Sequence, residues 1–317
     1  MKSRLILIDG IPGSGKSTTA NYIHRQLLRS SIEARWFHEL EESNPLFDVE
    51  YIQTRTINDA EDYVKKTLEK WRILVKEINK TNQVYIIESY LLQATVGCMF
   101  DNNINQSIIQ DYASRVPDII SELNPVIIYF SPQDVRENLL NLRNVRDNEW
   151  IESRGESLSK SKYAVARKLE GFEGWVSMLS ARAHLSNEIL QSYEFPTLVI
   201  DATNGEWDKY YDEITKFLGI ERTSERHLSE TDLERIPGQY RLDNSTFECS
   251  IVRENDELYL HDFFPSRRRL LEIGGEYEIE GVASTMKVDQ EESQMVKRMS
   301  IDMTRLFEGE IFRFERV

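Results

Sequence analysis

Short apolar runs alternate with long amphipathic stretches through the first two thirds of the chain. Five runs have the length and composition of buried strands: Arg4–Asp9, Glu33–Phe37, Gln83–Glu88, Pro125–Ser131 and Thr197–Asp201. Helical spacing or helix-starting residues mark the stretches between and after them, which are Ser17–Arg29, Ile57–Lys80, Ile104–Leu123, Pro132–Arg143, Tyr163–Tyr193 and a last helix that ends at Leu218 before Gly219. This order predicts an α/β fold with a doubly wound parallel sheet.

Beyond Gly238, apolar residues recur at every second position, which is typical of β-strands. Eight short strands are predicted there: Gln239–Leu242, Phe247–Arg253, Glu257–His261, Arg269–Ile273, Tyr277–Gly281, Met286–Val288, Val296–Ile301 and Gly309–Glu315. Asn255-Asp256 and Gly274-Gly275 are suitable turns between them. The sequence therefore predicts a larger α/β domain over 1–220, a charged linker over 221–236 and a smaller antiparallel β domain over 237–317.

Composition narrows the classes of partner and compartment. The 317 residues carry a net charge of −15, and the only dense basic run is Arg267-Arg268-Arg269, so we expect no nucleic-acid partner. The chain has no apolar stretch long enough for a signal peptide or a membrane span, and we expect no membrane association. Cys98 and Cys249 lie far apart without metal-ligand spacing, which favours buried thiols in a reducing cytoplasm.

The segment Gly10-Ile11-Pro12-Gly13-Ser14-Gly15-Lys16-Ser17 matches the Walker A motif G-x-x-x-x-G-K-[ST] in full. Glycines let the loop curl so that backbone N–H groups point inward at phosphate oxygens, and the following helix adds its positive end. Lys16 reaches the β- and γ-phosphates in such a loop, and the Ser17 hydroxyl binds Mg²⁺. We expect ATP to be held by residues of this loop and the start of the helix, namely Gly10, Pro12, Gly13, Ser14, Gly15, Lys16, Ser17 and Thr18.

The string from Asp9 to Thr19 resembles the loop of P-loop nucleoside and nucleotide kinases, of the thymidylate kinase-like and deoxynucleoside kinase-like kinds. The resemblance extends loosely over about residues 1–220. It includes Val84–Tyr90, Val126–Phe130 with the following Ser131-Pro132, and Ile200–Thr203, which resembles the loop beside the adenine. It implies an ATP- and Mg²⁺-dependent kinase. The arginine that these families carry after the strand-end acidic residue is Ser89 here, which weakens the case for an ordinary nucleotide acceptor.

Glu88 is the best candidate for the carboxylate that binds Mg²⁺, directly or through water, together with Ser17. A carboxylate at the carboxyl end of a buried strand opens onto the ligand crevice of a doubly wound sheet. Asp9 is the alternative, although it also suits a hydrogen bond to the loop backbone.

The acceptor hydroxyl needs a base, and Glu39 is the preferred candidate because it follows the second strand, where the resemblance places a catalytic glutamate. Its neighbour His38 is the alternative. Glu41 and Glu42 are expected to be solvated.

Three arginines, Arg143, Arg146 and Arg154, fall where the resemblance implies a lid over the transferring phosphate. Interleaved acidic residues (Asp147, Glu149 and Glu152) favour a charged surface helix equally well. Trp150 and Trp175 suit core packing better than stacking on a ligand.

The sequence thus predicts a cytoplasmic phosphotransferase that moves the γ-phosphoryl group of ATP to a nucleoside-like compound or a hydroxylated natural product, such as an antibiotic. The alternatives are a nucleoside monophosphate kinase and an ATPase or switch whose β domain binds a protein. For the β domain, a substrate cap, a partner-binding module and a homodimer interface remain open.

Overall fold

The computed structural model describes residues 2–146, 148–224, 228–289 and 295–317. Contacts divide the chain into two compact units. The first comprises residues 1–39, 44–144 and 148–222, and the second comprises residues 40–43, 145–147 and 223–317. No helix in the described ranges is both long and apolar enough to cross a membrane.

The first unit is built on a five-stranded, all-parallel sheet in the order β2-β3-β1-β4-β5. Its strands are β1 (Leu5–Gly10), β2 (Ala34–Phe37), β3 (Val84–Glu88), β4 (Val126–Phe130) and β5 (Thr197–Ile200). This confirms the predicted α/β core. The central strand β1 shows why these runs are apolar throughout: Leu5 and Leu7 pack into one hydrophobic cluster, whereas Ile6 and Ile8 pack into another, as expected for a strand covered on both faces.

Ten α-helices accompany the sheet within the described part of this unit. They are α1 (Lys16–Arg29), α2 (Val49–Thr54), α3 (Ala60–Ile78), α4 (Gly97–Asp101), α5 (Gln106–Ile120), α6 (Val135–Val145), α7 (Asn148–Ser159), α8 (Lys162–Arg167), α9 (Gly171–Gln191) and α10 (Trp207–Leu218). A π-helical segment, Tyr90–Val96, precedes α4, and a single 3₁₀ turn, Ser121–Leu123, follows α5. As predicted, α10 ends at Leu218, before Gly219 in the left-handed conformation.

The prediction of one long helix over Tyr163–Tyr193 was wrong. Lys168 adopts a left-handed conformation (φ 54°) and ends α8, and α9 begins at Gly171. The Leu169 N–H donates back to the Ala164 carbonyl at 3.0 Å, which closes the helix end in the manner of a C-terminal cap. Helical periodicity continues across the break, so the pattern of apolar residues alone does not reveal it.

The second unit contains a short helix, α11 (Glu230–Arg235), and a closed antiparallel barrel of eight strands. The strands are β6 (Gly238–Leu242), β7 (Glu248–Glu254), β8 (Glu257–His261), β9 (Arg268–Ile273), β10 (Glu276–Ile279), β11 (Thr285–Val288), β12 (Arg298–Asp302) and β13 (Ile311–Arg316). Each pairs with its neighbours in sequence, and β13 pairs with β6. The antiparallel β domain is confirmed, as are both predicted turns. Its closure into a barrel was not predicted.

A buried chain of hydrogen bonds ties two helices of the first unit to the π-helical segment. The Trp71 indole N–H donates to the Tyr112 hydroxyl at 2.8 Å, and that hydroxyl donates to Thr95 Oγ1 at 3.1 Å. Thr95 donates in turn to the Leu91 carbonyl at 2.7 Å. Buried polar groups are costly unless partnered, so this chain fixes the position of the segment.

We expect Tyr112→Phe to lower the free energy of unfolding of the first unit by about 1–3 kcal/mol, because the buried Trp71 N–H loses its acceptor. Urea unfolding followed by tryptophan fluorescence measures this, since all five tryptophans precede residue 208. The matched control is the double variant Trp71→Phe/Tyr112→Phe, whose cost should be less than the sum of the single costs. Wild-type stability in Tyr112→Phe would contradict the assignment.

Candidate functional site around the Gly10–Ser17 loop

The Gly10–Ser17 loop joins the carboxyl end of β1 to the first turn of α1. Lys16 is the first residue of α1, and the preceding Gly15 has φ +88°, a conformation that favours glycine. A Cβ at Gly15 would lie 2.1 Å from Trp207 Cη2, so only glycine fits there. No side chain caps the helix. Its first amides are therefore available to an anion.

The other predicted loop residues line the same turn. Ser14 Oγ donates to the Ile11 carbonyl at 2.9 Å, and Pro12 is buried. Ser17 and Thr18 are half-buried in the first turn of α1. The loop is thus ordered by its own hydrogen bonds.

Lys16 is buried, and its ammonium group donates to the Ile11 carbonyl at 2.7 Å. Burial lowers the pKa of Lys16, while the carboxylates of Glu39, Asp9 and Glu88 act in the opposite direction. These three acidic residues come from the ends of β2, β1 and β3. The fold therefore gathers strand-end carboxylates from three neighbouring strands around one lysine.

The Asp9 carboxylate binds main-chain N–H groups. Its buried carboxylate accepts three hydrogen bonds from main-chain N–H groups: Gly10 at 2.8 Å, Leu92 at 2.7 Å and Gln93 at 2.9 Å. Burial raises the pKa of Asp9, and the backbone donors and Lys16 oppose that rise. Of the two roles considered from the sequence, the structure shows the hydrogen bond to the loop backbone.

Glu88 is the last residue of β3 and is fully buried. Neither of its carboxylate oxygens accepts a hydrogen bond of ordinary geometry from the described residues, and His38 Nε2 lies 3.7 Å from its Oε1. Burial and the nearby Glu39 raise the pKa of Glu88 to about 8, although the Ser17 hydroxyl and Lys16 act to lower it. The Glu88 carboxyl group and the Ser17 hydroxyl supply oxygen atoms of the kind that Mg²⁺ binds.

Glu39 lies two residues beyond β2 and is half-buried. Its Oε2 accepts from the Gln93 side-chain amide at 2.9 Å, and its backbone carbonyl accepts from the Tyr90 hydroxyl at 3.1 Å. His38, the alternative base, is buried beside Glu88. The structure therefore brings both candidate bases to the same strand edge as Lys16.

The expectation that Glu41 is solvated was wrong, whereas Glu42 is exposed as expected. Glu41 is fully buried within the second unit, where its carboxylate accepts from Arg305 Nη2 at 2.8 Å and from Ser43 Oγ at 2.8 Å. An arginine 264 positions away in sequence makes this burial favourable, and no local pattern reveals such a partner.

The three predicted lid arginines are dispersed along the region around α6 and α7. Arg143, in the last turn of α6, is exposed, and its guanidinium group lies 4.2 Å from the centre of the Phe172 ring. Arg146 is half-buried just beyond α6. The side chain of Arg154, like those of Asp147, Glu149 and Trp150, lies outside the described residues. The lid stays a prediction. Trp175 is buried in the core, as expected.

Sequence reasoning missed Trp207, Gln93 and Arg182. Trp207, the first residue of α10, packs on Gly15. In the loop between β5 and α10, Asp201 accepts hydrogen bonds from the N–H groups of Gln133 and Thr203. Gln93 and Arg182 reach the site from the π-helical segment and from α9. None of the three belongs to a motif, and only the tertiary structure brings them to the loop.

No model of a known protein family matches the chain, and no curated protein matches it significantly. The fold and site define an α/β protein with a glycine-rich loop at the carboxyl end of its central parallel strand, followed by a closed β barrel.

The pKa of Glu88 predicts how stability depends on pH. Its folded-state pKa of about 8 exceeds the ordinary value of 4.5, so the folded protein retains a proton that the unfolded chain has lost between these pH values. Ionisation of Glu88 in the unfolded chain therefore lowers the free energy of unfolding as pH rises through this window. We expect Glu88→Gln to gain roughly 3 kcal/mol relative to wild type between pH 5 and pH 8.

Urea unfolding at the two pH values, followed by tryptophan fluorescence, measures this difference. Glu33→Gln removes an exposed carboxylate and serves as the matched control, with no pH-dependent gain. An equal pH dependence in Glu88→Gln and wild type would contradict the assignment.

Proposed function

We propose that this protein is a Mg²⁺-dependent phosphotransferase that moves the γ-phosphoryl group of ATP to a hydroxyl group of a small molecule. The observation that carries the proposal is the environment of Lys16. A buried ammonium follows a curled glycine-rich loop and is surrounded by carboxylates from three strand ends. Such a site offers a cation and free amides for phosphates, together with carboxylates for a metal ion and for proton transfer.

ATP fits the uncapped start of α1. The triphosphate supplies negative charge where the first amides of the helix have no internal acceptor. Lys16 donates to the Ile11 carbonyl, which is a neutral acceptor. A phosphate oxygen in place of this carbonyl would accept a stronger, charge-assisted hydrogen bond from Lys16. We infer that Lys16 turns from Ile11 to the β- and γ-phosphates when the nucleotide binds.

Mg²⁺ fits the residues beside the loop. Both oxygens of Glu88 are buried and accept no hydrogen bond of ordinary geometry from the described residues. The Ser17 hydroxyl is near enough to lower the pKa of Glu88. We assign Ser17 as a ligand and Glu88 as a second group, acting directly or through water. The described residues hold no cluster of three or more His, Cys, Asp or Glu side chains suited to a metal. Mg²⁺ suits such a site because it commonly draws its remaining ligands from phosphate and water. The ion would neutralise charge on the phosphates.

Glu39 is the proposed general base for the acceptor hydroxyl. It lies beside Lys16, and its carboxylate is oriented by the Gln93 amide. Because phosphoryl transfer depends mainly on positioning and charge neutralisation, the base contributes a modest share of the rate. The resemblance of residues 1–220 to nucleoside and nucleotide kinases supports the same reaction class.

Incubation of the pure protein with γ-³²P-labelled ATP, Mg²⁺ and a panel of nucleosides, nucleotides and hydroxylated antibiotics tests the proposal. Transfer of label to one of these compounds is the expected result. Release of inorganic phosphate alone, stimulated by a protein partner, would instead support the nucleotide-dependent switch. Absence of Mg²⁺-dependent ATP binding in calorimetry would overturn the proposal.

Lys16→Ala should reduce transfer at least about a hundredfold, because a preorganised cation at the transferring phosphate is lost. Initial rates of label transfer measure this loss. Lys209→Ala, which removes an exposed lysine of the same unit, should keep the wild-type rate. A Lys16→Ala rate within about threefold of wild type would exclude this role.

Glu39→Gln should lower turnover by about 10²-fold and leave ATP affinity unchanged, since it removes the base and keeps the shape of the side chain. Rates from the transfer assay and dissociation constants from calorimetry separate the two effects. Glu42→Gln, at an exposed glutamate three residues further on, is the matched control. Full turnover in Glu39→Gln would remove this residue from the mechanism.

A further inference from the structure

Gln93 joins three parts of the site through three hydrogen bonds. Its backbone N–H donates to Asp9 Oδ1 at 2.9 Å, and its backbone carbonyl accepts from Arg182 Nη2 at 2.5 Å. Its side-chain amide donates to Glu39 Oε2 at 2.9 Å. One residue thus connects the end of β1, helix α9 and the proposed base.

The backbone around Gln93 has an unusual conformation. Ser89, the residue after β3, has φ 64°, although it is not glycine. The Ala94 N–H then donates to the Ser89 carbonyl at 2.7 Å, which is the i+5 bond of a π-helix. π-Helical turns and strained residues occur often at functional sites because they redirect side chains. Here they accompany a backbone that presents two successive amides, those of Leu92 and Gln93, to Asp9.

Arg182 holds this segment from the other side. Its buried guanidinium group lies against Gly97, where an added Cβ would be 2.3 Å from Nη2. Arg182 Nη1 also lies 3.9 Å from Asp101 Oδ1. A planar group with several donors in a fixed arrangement can fill this space and bind the Gln93 carbonyl at the same time.

Partial burial of the Gln93 side chain destabilises the folded state, and core packing does not explain why this side chain is partly buried. Its Oε1 is buried and accepts no hydrogen bond from any residue that the structure describes. A buried carbonyl oxygen without a donor destabilises the folded state. The amide nevertheless faces Glu39 with its N–H₂ group, which is the half that can donate to a carboxylate.

We propose that Gln93 is the positioning residue of Glu39, and that Arg182 fixes the segment that presents Gln93. The proposal rests on the assignment of Glu39 as general base under the proposed function. The amide donor holds one carboxylate oxygen in place. In this way, a residue outside every motif determines the orientation of the base.

Other charged groups also face the Glu39 carboxylate or lie close to its partners. Lys16 from α1 is attracted to it, and Glu88 from β3 is repelled by it. His38 is adjacent in sequence, Asp9 is bound to the same Gln93, and Arg182 approaches from α9. The Gln93 variants leave all of these side chains in place, so their effect isolates the amide.

The first experiment requires no substrate. Crystal structures of wild type and Gln93→Leu compare the position of the Glu39 side chain. In Gln93→Leu the Glu39 carboxylate should leave its wild-type position, because it has lost the amide donor at 2.9 Å. Gln110→Leu, at an exposed glutamine of α5, should leave the Glu39 carboxylate in place. An unmoved Glu39 carboxylate in Gln93→Leu would overturn the proposal.

The second experiment measures turnover of Mg·ATP with the acceptor found in the panel, or with water if only hydrolysis is seen. Gln93→Leu should lower kcat at least tenfold with the KM for ATP unchanged. Gln93→Asn, which keeps an amide, should recover part of the rate. Arg182→Lys should give an intermediate loss of kcat, because the charge remains but the planar group is absent.

Stability measurements distinguish positioning from a purely structural role. Gln93→Leu should unfold at a urea concentration close to that of wild type, because the orphaned Oε1 is removed together with the hydrogen bond. Loss of stability together with an unmoved Glu39 carboxylate would assign Gln93 to the core and overturn the proposal. If wild type binds no ATP but the Glu39 carboxylate moves in Gln93→Leu, the phosphotransferase assignment fails while the positioning of Glu39 by Gln93 stands.

Discussion

The site depends on one buried carboxylate. Asp9 lies near the end of the central strand β1 and accepts the main-chain N–H groups of Gly10, Leu92 and Gln93. These hydrogen bonds join the start of the glycine-rich loop to the segment that follows the neighbouring strand β3. Without them, two irregular stretches of chain would have to find their relative position through apolar contacts alone, which are not directional.

The geometry of a parallel sheet explains why so much chemistry gathers there. Strands β1, β2 and β3 lie side by side and point the same way, so their carboxyl ends open onto one crevice. Lys16, Glu39 and Glu88 meet at that edge, although they are far apart in sequence. Burial opposes the ionisation of both Glu88 and Lys16.

Closure of the barrel removes the unpaired edges of the second sheet. Eight short strands in sequential antiparallel pairing leave two exposed edges unless the first and last strands meet, and here β6 and β13 pair. Inward-facing residues such as Cys249, Ile251 and Leu260 alternate with more exposed ones, and the interior is filled by side chains. The second unit also includes residues 40–43, which directly follow Glu39 in the chain.

The sequence by itself determined the features that depend on local order. Apolar runs, periodicity and turn residues were sufficient to predict the five sheet strands, the eight barrel strands and the loop around Lys16, because each of these patterns is complete within a few residues. Only the tertiary structure decided the strand order, the closure of the barrel, and which polar side chains are buried. Glu41 is buried because of the distant Arg305, and Gln93 and Arg182 reach the site because the fold brings the π-helical segment and α9 together. Whether a polar group can be buried depends on partners elsewhere in the chain, and a local pattern does not contain them.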